Sequence, residues 1–215
     1  MDFTSRLRSI RAVIGDRVLI AATKYAEPPL LRDLFAAGVV DMGENRVQAL
    51  LTKQEALADL PIRWHFIGHL QTNKVAKIVN RIETLHSLDS LRLAAEIQRW
   101  RKTPLACFVE VNISEEPAKS GVSIEETGEF VEKLAEYDTI KVVGLMGMAA
   151  DTEDTEAIRA AFLRLRILRD DLCRRGLSHA PCEWLSMGMS HDYPIAVQCG
   201  ATHVRLGSIL FRNEG

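Results

Sequence analysis

The chain has 215 residues, 47% hydrophobic and 26% charged, with 27 Lys plus Arg against 29 Asp plus Glu and a formal net charge of -2. That composition excludes disordered and fibrous classes and leaves ample material for a core. The near-neutral balance argues against a broad basic surface for nucleic acid or anionic membrane, so any bound anion is expected to be small and held locally.

Short apolar runs alternate with longer stretches whose apolar residues recur every three or four positions. In chain order the pattern predicts a helix over about 3–14, a strand "VLIAAT" at 18–23, a helix over 29–37 stopped by Gly38, and a strand "VVDMG" at 39–43. A helix over 46–58 leads to the strand "IRWHFIG" at 62–68, and a short helix over 73–79 to "ETLHSL" at 83–88. Ser90 caps a helix over 90–101 before the strand "LACFVEVN" at 105–112, and Ser123 with Glu126 forms a capping box opening a helix over 123–137. The strand "IKVVGLMGM" at 140–148, a helix over 155–175 stopped by Gly176, "CEWLSM" at 182–187, a helix over 191–199 and "THVRLG" at 202–207 complete the series.

Eight strands alternating with helices predict an α/β fold, a closed (β/α)₈ TIM barrel with an extra N-terminal helix; an open doubly wound sheet is the alternative. No linker, repeat or low-complexity stretch divides the chain, so residues 1–215 are expected to form a single domain. The four cysteines, Cys107, Cys173, Cys182 and Cys199, contain no C-x-x-C pair and read as reduced thiols. No run approaches a membrane span and the start "MDFTSRLRSI" lacks a signal-peptide core, so the expected location is cytoplasmic, with no membrane or nucleic-acid partner.

In such a barrel the chemistry gathers where strands end. Those ends present Lys24, Glu44 and Asn45, His65 with Gly68, Ser87, Asn112, Met146, Ser186 and Arg205. After the seventh strand "SMGMSHDY" offers Ser186, Gly188 and Ser190 ahead of a helix, and after the eighth "RLGSILF" offers Gly207 and Ser208 at a second turn into a helix. Each alone reads as an ordinary tight turn; together, at the usual phosphate position of the fold, they predict a dianion held by backbone N–H groups. A phosphate-bearing aldehyde or ketone held there would meet Lys24 as a Schiff-base partner, whereas by type and position alone Lys24 reads equally as a solvated strand-end lysine.

Eight stretches, "ATKY" (22–25), "GENRVQ" (43–48), "WHFIGHLQTNK" (64–74), "HSLDS" (86–90), "VNISEEPAKSG" (111–121), "GLMGMA" (144–149), "LSMGMSHDYPIAV" (185–197) and "VRLGSILF" (204–211), resemble in order the pyridoxal phosphate homeostasis proteins. That family is similar in fold to the N-terminal barrel domain of alanine racemase. The resemblance implies that Lys24 holds pyridoxal 5'-phosphate (PLP) as an internal aldimine, that Asn45 lies near its ring and Met146 in a wall beside it. It also implies that Ser186, Gly188, Ser190, Gly207 and Ser208 fall in the phosphate loops and that Arg205 faces the pyridine nitrogen. The chain departs from the pattern at Ala22 and Thr23, where valine and serine are common, at Tyr25 and Ala26 before the prolines, and at Arg212, where a glycine is frequent.

A guanidinium has donors only, so an arginine at the ring nitrogen leaves that nitrogen unprotonated and the ring a poor electron sink. Racemisation needs a base on each face of the substrate carbon, and in the similar racemases the second is a tyrosine from an additional domain of the partner subunit. No such domain is expected after the eighth strand, Tyr25 is expected to point away from the lysine, Tyr137 falls in a turn and Tyr193 lies beside the phosphate loop. The expected function is therefore a monomeric PLP carrier or buffer without catalytic residues, with PLP-dependent apo-enzymes as candidate recipients. A weak amino-acid racemase, and then a Schiff-base aldolase on a sugar phosphate, are the alternatives. His65 and His69 are a weak metal pair, Lys119 a weak secondary cofactor-handling residue, and the arginine-rich stretch through Arg169 and Arg175 a solvated helix face.

Overall fold

The computed structural model describes residues 3–114 and 120–211, so Lys119 and Arg212 lie outside the described residues. Eight parallel strands close into a barrel in sequence order: β1 (Val18–Ala22), β2 (Asp41–Glu44), β3 (Arg63–Phe66), β4 (Thr84–Leu88), β5 (Leu105–Val111), β6 (Ile140–Gly147), β7 (Trp184–Ser186) and β8 (His203–Leu206). β8 pairs back onto β1 with Ala21 opposite Leu206. The helices are α1 (Phe3–Ile14), α2 (Pro28–Ala36), α3 (Val47–Ala56), α4 (Val75–Ile78), α5 (Leu91–Trp100), α6 (Ile124–Lys133), α7 (Thr155–Arg174), α8 (Tyr193–Gln198) and α9 (Ser208–Phe211). This is the TIM barrel that the strand count predicts. Among the described residues no helix is long and apolar enough to cross a membrane.

Local chemistry explains where element ends differ from the sequence pattern. β2 starts at Asp41 rather than at 39 because α2 ends in a Schellman turn: Gly38 has φ +87°, its N–H reaches Phe35 O (2.9 Å), and Val39 N–H returns to Leu34 O (3.1 Å). β7 starts at Trp184 because Cys182, a non-glycine at φ +48°, interrupts the extended run. The helix expected over 73–79 is a 3₁₀ turn, Thr72–Lys74, followed by the single turn of α4. Ser90 and Ser123 cap as expected, accepting from Leu93 N–H (3.3 Å) and Glu126 N–H (3.2 Å), and the Glu126 carboxylate accepts the Ser123 hydroxyl (2.7 Å).

Outward strand residues such as Met42, Phe66, Leu85, Val109, Leu145 and Leu206 pack with the buried faces of the helices in one apolar cluster. Arg169 and Arg175 lie outside it and pair with Asp170 (2.7 Å) and with Asp171 (2.8 Å) and Glu132 (2.7 Å), as a solvated face does.

The barrel interior is different. His86 on β4 reaches Ser186 on β7 (2.9 Å), a contact between non-adjacent strands that has to cross the lumen. His86 also stacks on Phe108 (centroids 4.4 Å apart), and His203 meets Phe108 (5.2 Å) and Trp184 (5.1 Å). His65, placed at the strand mouth by the sequence pattern, is instead inside β3, its Nδ1 3.0 Å from His86 Nε2 and its Nε2 3.1 Å from Asp41 Oδ1. His69 lies outside the barrel beside Asp89 (3.3 Å), so the i, i+4 pair does not converge. Among the described residues no group of three or more metal-ligating side chains forms. Burial is the main reason that His86 and His203 resist protonation, with the guanidinium of Arg205 also disfavouring a second positive charge; His203 is lowered to about 4 and His86 well below its ordinary value. A recess of about 840 Å³, lined in part by Asp41, Arg63, Thr84, Trp184, Thr202 and His203, opens at the N-terminal ends of the strands.

Outside β2, Glu44 forms a buried ion pair with Lys53 of α3 and accepts the Thr23 hydroxyl (2.8 Å). Lys53 Nζ also donates to Thr23 O (2.6 Å), so the end of β1 is tied to α3.

Two outcomes follow from these buried groups. Lys53→Met strands the Glu44 carboxylate in the interior and is expected to lower unfolding free energy by about 3 kcal/mol in urea titrations, a loss that Glu44→Leu added to it partly reverses. Both buried histidines have folded values below the ~6.5 of an unfolded chain, so the stability they contribute is complete above that pH and lost as pH falls toward about 4. Replacing His203 by Gln should flatten the stability profile between those limits by at most about 3 kcal/mol, read from denaturant midpoints across pH.

Candidate functional site at the C-terminal rim

The turn after β1 carries Lys24 to the surface. Thr23 is fully buried, its N–H donating to Gly43 O (2.9 Å) and its carbonyl accepting from Ala26 N–H (2.9 Å) as well as from Lys53. Lys24 follows as an exposed residue, so its ammonium is solvated, as its type and position at a strand end allow. Its Nζ sits 4.7 Å from the ring centroid of Tyr25, itself 82% exposed. Tyr25 therefore does not point away from the lysine: the tight turn brings both side chains to one side, and hydrogen bonding and charge from Lys24 lower the phenol's pKa.

Gly207 adjoins this turn. The β1–β8 register sets it beside Ala22, so close that a Cβ on Gly207 would lie 3.2 Å from Ala22 O. Gly207 N–H and Ile209 N–H both donate to Ser190 Oγ, at 3.2 and 3.3 Å. One hydroxyl thus joins the β7–α8 loop to the start of α9, and its own proton is left to donate. Ser208 between the two N–H groups is exposed. Gly188 has φ +95° and a Cβ there would be 2.7 Å from Ala196 Cβ, so the loop folds only with glycine. The helices that follow, α8 and α9, have six and four residues, so directed N–H groups rather than long helix dipoles define the local field.

Ser186 stands apart from this cradle. It is the last residue of β7, fully buried, and its hydroxyl is committed to His86 and to Arg205 Nη1 (2.5 Å). The contacts therefore put Ser186 in the lumen, because inward strand residues alternate with outward ones.

Arg205 is 5% exposed, with Nη2 on Gly147 O (3.3 Å) and its backbone N–H on Gly188 O (2.9 Å). Among the described residues it has no carboxylate in ion-pair contact, and burial draws its pKa down to about 10 against the pull of Asp192 and Glu110. Met146 is 1% exposed and registers with Glu110 on β5 and Ser186 on β7. Asn45 follows β2, and its Oδ1 is buried without a hydrogen-bond partner, an acceptor available to an incoming donor.

Three contributors were not singled out from sequence. Asp192 holds the β7–α8 loop by accepting Met189 N–H (2.5 Å), with its second oxygen buried, without a hydrogen bond and 3.4 Å from His191 Nε2. Glu110 is a buried carboxyl whose pKa is pushed up to about 7 by burial, with Asp89 adding and Arg205 and His69 opposing. His86 lies behind Ser186. A histidine inside each of the strands "WHF", "LHSL" and "HVRL" was the legible signal, since isolated polar residues in apolar strands mark an inward polar face. Tyr137 ends the 3₁₀ turn after α6, and Tyr193 opens α8, 9% exposed.

The model of the alanine racemase N-terminal domain matches residues 2–214. A pyridoxal phosphate homeostasis protein of Aquifex aeolicus is 44% identical over 90% of this chain and 85% of its own length, and one of Pseudomonas aeruginosa 40% identical over 90% and 83%. The structure of PipY from Synechococcus elongatus with PLP bound superposes with a TM-score of 0.90 at 31% identity, over 98% of this chain and all of that one (100%). The chain belongs to the alanine racemase N-terminal domain family and, within it, to the pyridoxal phosphate homeostasis proteins.

Proposed function

We propose that this chain binds pyridoxal 5'-phosphate through Lys24 and serves its intracellular homeostasis as a carrier rather than as an enzyme. The observation that carries the reading is the junction at the rim, where the exposed Lys24 turn adjoins the Gly207–Ile209 backbone already organised around Ser190. When bound, the cofactor supplies an aldehyde that condenses with a primary amine and a phosphate that seeks N–H donors.

In this reading Ser190, Gly207 and Ser208 hold the phosphate, with Gly188 shaping the loop. Arg205 faces the ring nitrogen and Met146 and Asn45 border the ring. Ser186 acts behind Arg205 rather than on the phosphate. Residues 1–215 act as one cofactor-binding unit, and the cytoplasm, where the exposed Cys173 stays reduced, is its compartment.

The non-catalytic assignment rests on two points. Arg205 only donates hydrogen bonds and cannot take a proton from the ring nitrogen. Racemisation needs proton transfer from opposite sides of one carbon, whereas Lys24 and Tyr25 stand together on one side.

Purified chain loaded with PLP and then freed of unbound cofactor should be yellow, and Lys24→Ala should abolish that absorbance while leaving the circular dichroism unchanged. A colourless protein that retains no PLP would sink the reading. With each enantiomer of common amino acids, turnover should stay far below ~1 s⁻¹, the lower end of ordinary enzyme rates; faster racemisation reassigns the protein as an enzyme.

A further inference from the structure

Arg205 is a buried cation whose counter-charge is not beside it, and the hydrogen bonds leading away from it have a single consistent direction. A guanidinium only donates, so Ser186 Oγ accepts from Nη1 (2.5 Å). The one hydroxyl proton of Ser186 is then left for His86 Nδ1, 2.9 Å away. His86 is fully buried, which holds it neutral, and with Nδ1 accepting its proton resides on Nε2. Nε2–H donates to His65 Nδ1 (3.0 Å), so a neutral His65 also carries its proton on Nε2 and gives it to Asp41 Oδ1 (3.1 Å). Asp41 only accepts, and Arg63 Nε (2.7 Å) and Nη2 (2.6 Å) hold it from the other side. Burial raises the Asp41 pKa, but the bonds from His65 and Arg63 outweigh that and keep it down at about 2.

A donor-only group thus closes one end and an acceptor-only group the other, and with both imidazoles neutral every link between them can point only one way. We propose that Ser186, His86, His65 and Asp41 form a proton-ordered chain through the barrel that fixes the orientation of Arg205, making Ser186 and His86 positioning residues for the cofactor ring. The inference rests on the assignment of Arg205 to that ring. The chain's far end, Asp41, lines the recess at the opposite mouth of the barrel, where Arg63 pairs with it, so the direction of the hydrogen bonds at the rim is set from the other end of the lumen. The charged and titratable groups facing the chain are Asp41, Arg63 and His65 from β2 and β3, Glu110 from β5, Asp192 from the β7–α8 loop, and His203 and Arg205 from β8. The chain leaves no vacancy for a proton at any link, so it conducts none at rest. Its role is to set direction.

The test uses the full chain labelled with ¹⁵N-histidine, first without cofactor. His65 and His86 should each carry a proton on Nε2 and none on Nδ1 at about pH 8, above the ordinary histidine value. Ser186→Ala should release His86 to a mixture of tautomers, and Ser186→Thr, which keeps the hydroxyl, should restore the single form. In titrations with PLP, Ser186→Ala and Asp41→Asn should each raise Kd about tenfold, the scale of one hydrogen bond to a charged group. The Thr variant should match the parent. A cationic or Nδ1–H form of either histidine in the unaltered protein overturns the chain without need of any variant, and unchanged PLP affinity in both Ser186→Ala and Asp41→Asn overturns its positioning role. If the unaltered protein takes up no PLP, the cofactor assignment falls alone, and the histidine forms still decide whether the ordered chain exists.

Discussion

A closed barrel of eight strands has to fill its own lumen, and here the filling is polar. Branched aliphatic layers are the usual solution. In this chain three imidazoles, the carboxyl groups of Asp41 and Glu110 and a guanidinium share the space with Phe108 and Trp184. Each polar group removed from water costs several kcal/mol unless a partner answers it, so the interior tolerates only arrangements in which donors and acceptors match along the whole axis. That requirement ties strands to one another across the lumen, as the His86–Ser186 contact between β4 and β7 illustrates. It also links the two mouths of the barrel, which in an aliphatic interior would be electrostatically independent.

The rim follows a different logic. Its lysine is exposed, and what positions it is the buried residue before it. Thr23 receives bonds from Lys53 and Ala26 and gives its own to Gly43 and Glu44. Two lysines on neighbouring elements are thereby put to opposite uses: Lys53 is locked in an ion pair, whereas Lys24 remains accessible to solutes. Only the second can meet an aldehyde.

Much of this was legible in the sequence, and the rest was hidden for identifiable reasons. Period-two and period-3.6 patterning located all eight strands and the helices between them to within a few residues, because burial of one face is what the pattern records. The misplaced ends, at Gly38–Asp41 and Cys182–Trp184, depend on backbone conformations that composition does not encode. His65 and Ser186 look like strand-end residues in a linear reading. Their inward direction depends on which residue of each strand faces the axis, a phase that the barrel's register settles and apolar runs do not. Tyr25 was misjudged because neighbouring side chains oppose each other only while the chain stays extended, and the turn after Thr23 ends the extended run. Asp192 gave no local signal, since its partner is the backbone of its own loop.

The Ser190 hydroxyl ties two loops directly to each other. In the proposed role, these two loops do not have to order when the cofactor arrives or loosen when it leaves. Little loop-ordering entropy is then charged against binding. Residence time becomes a matter of bond making and breaking at one amine, so a cell could tune occupancy through the supply of competing amines and free aldehyde, with the scaffold itself acting as a fixed dock.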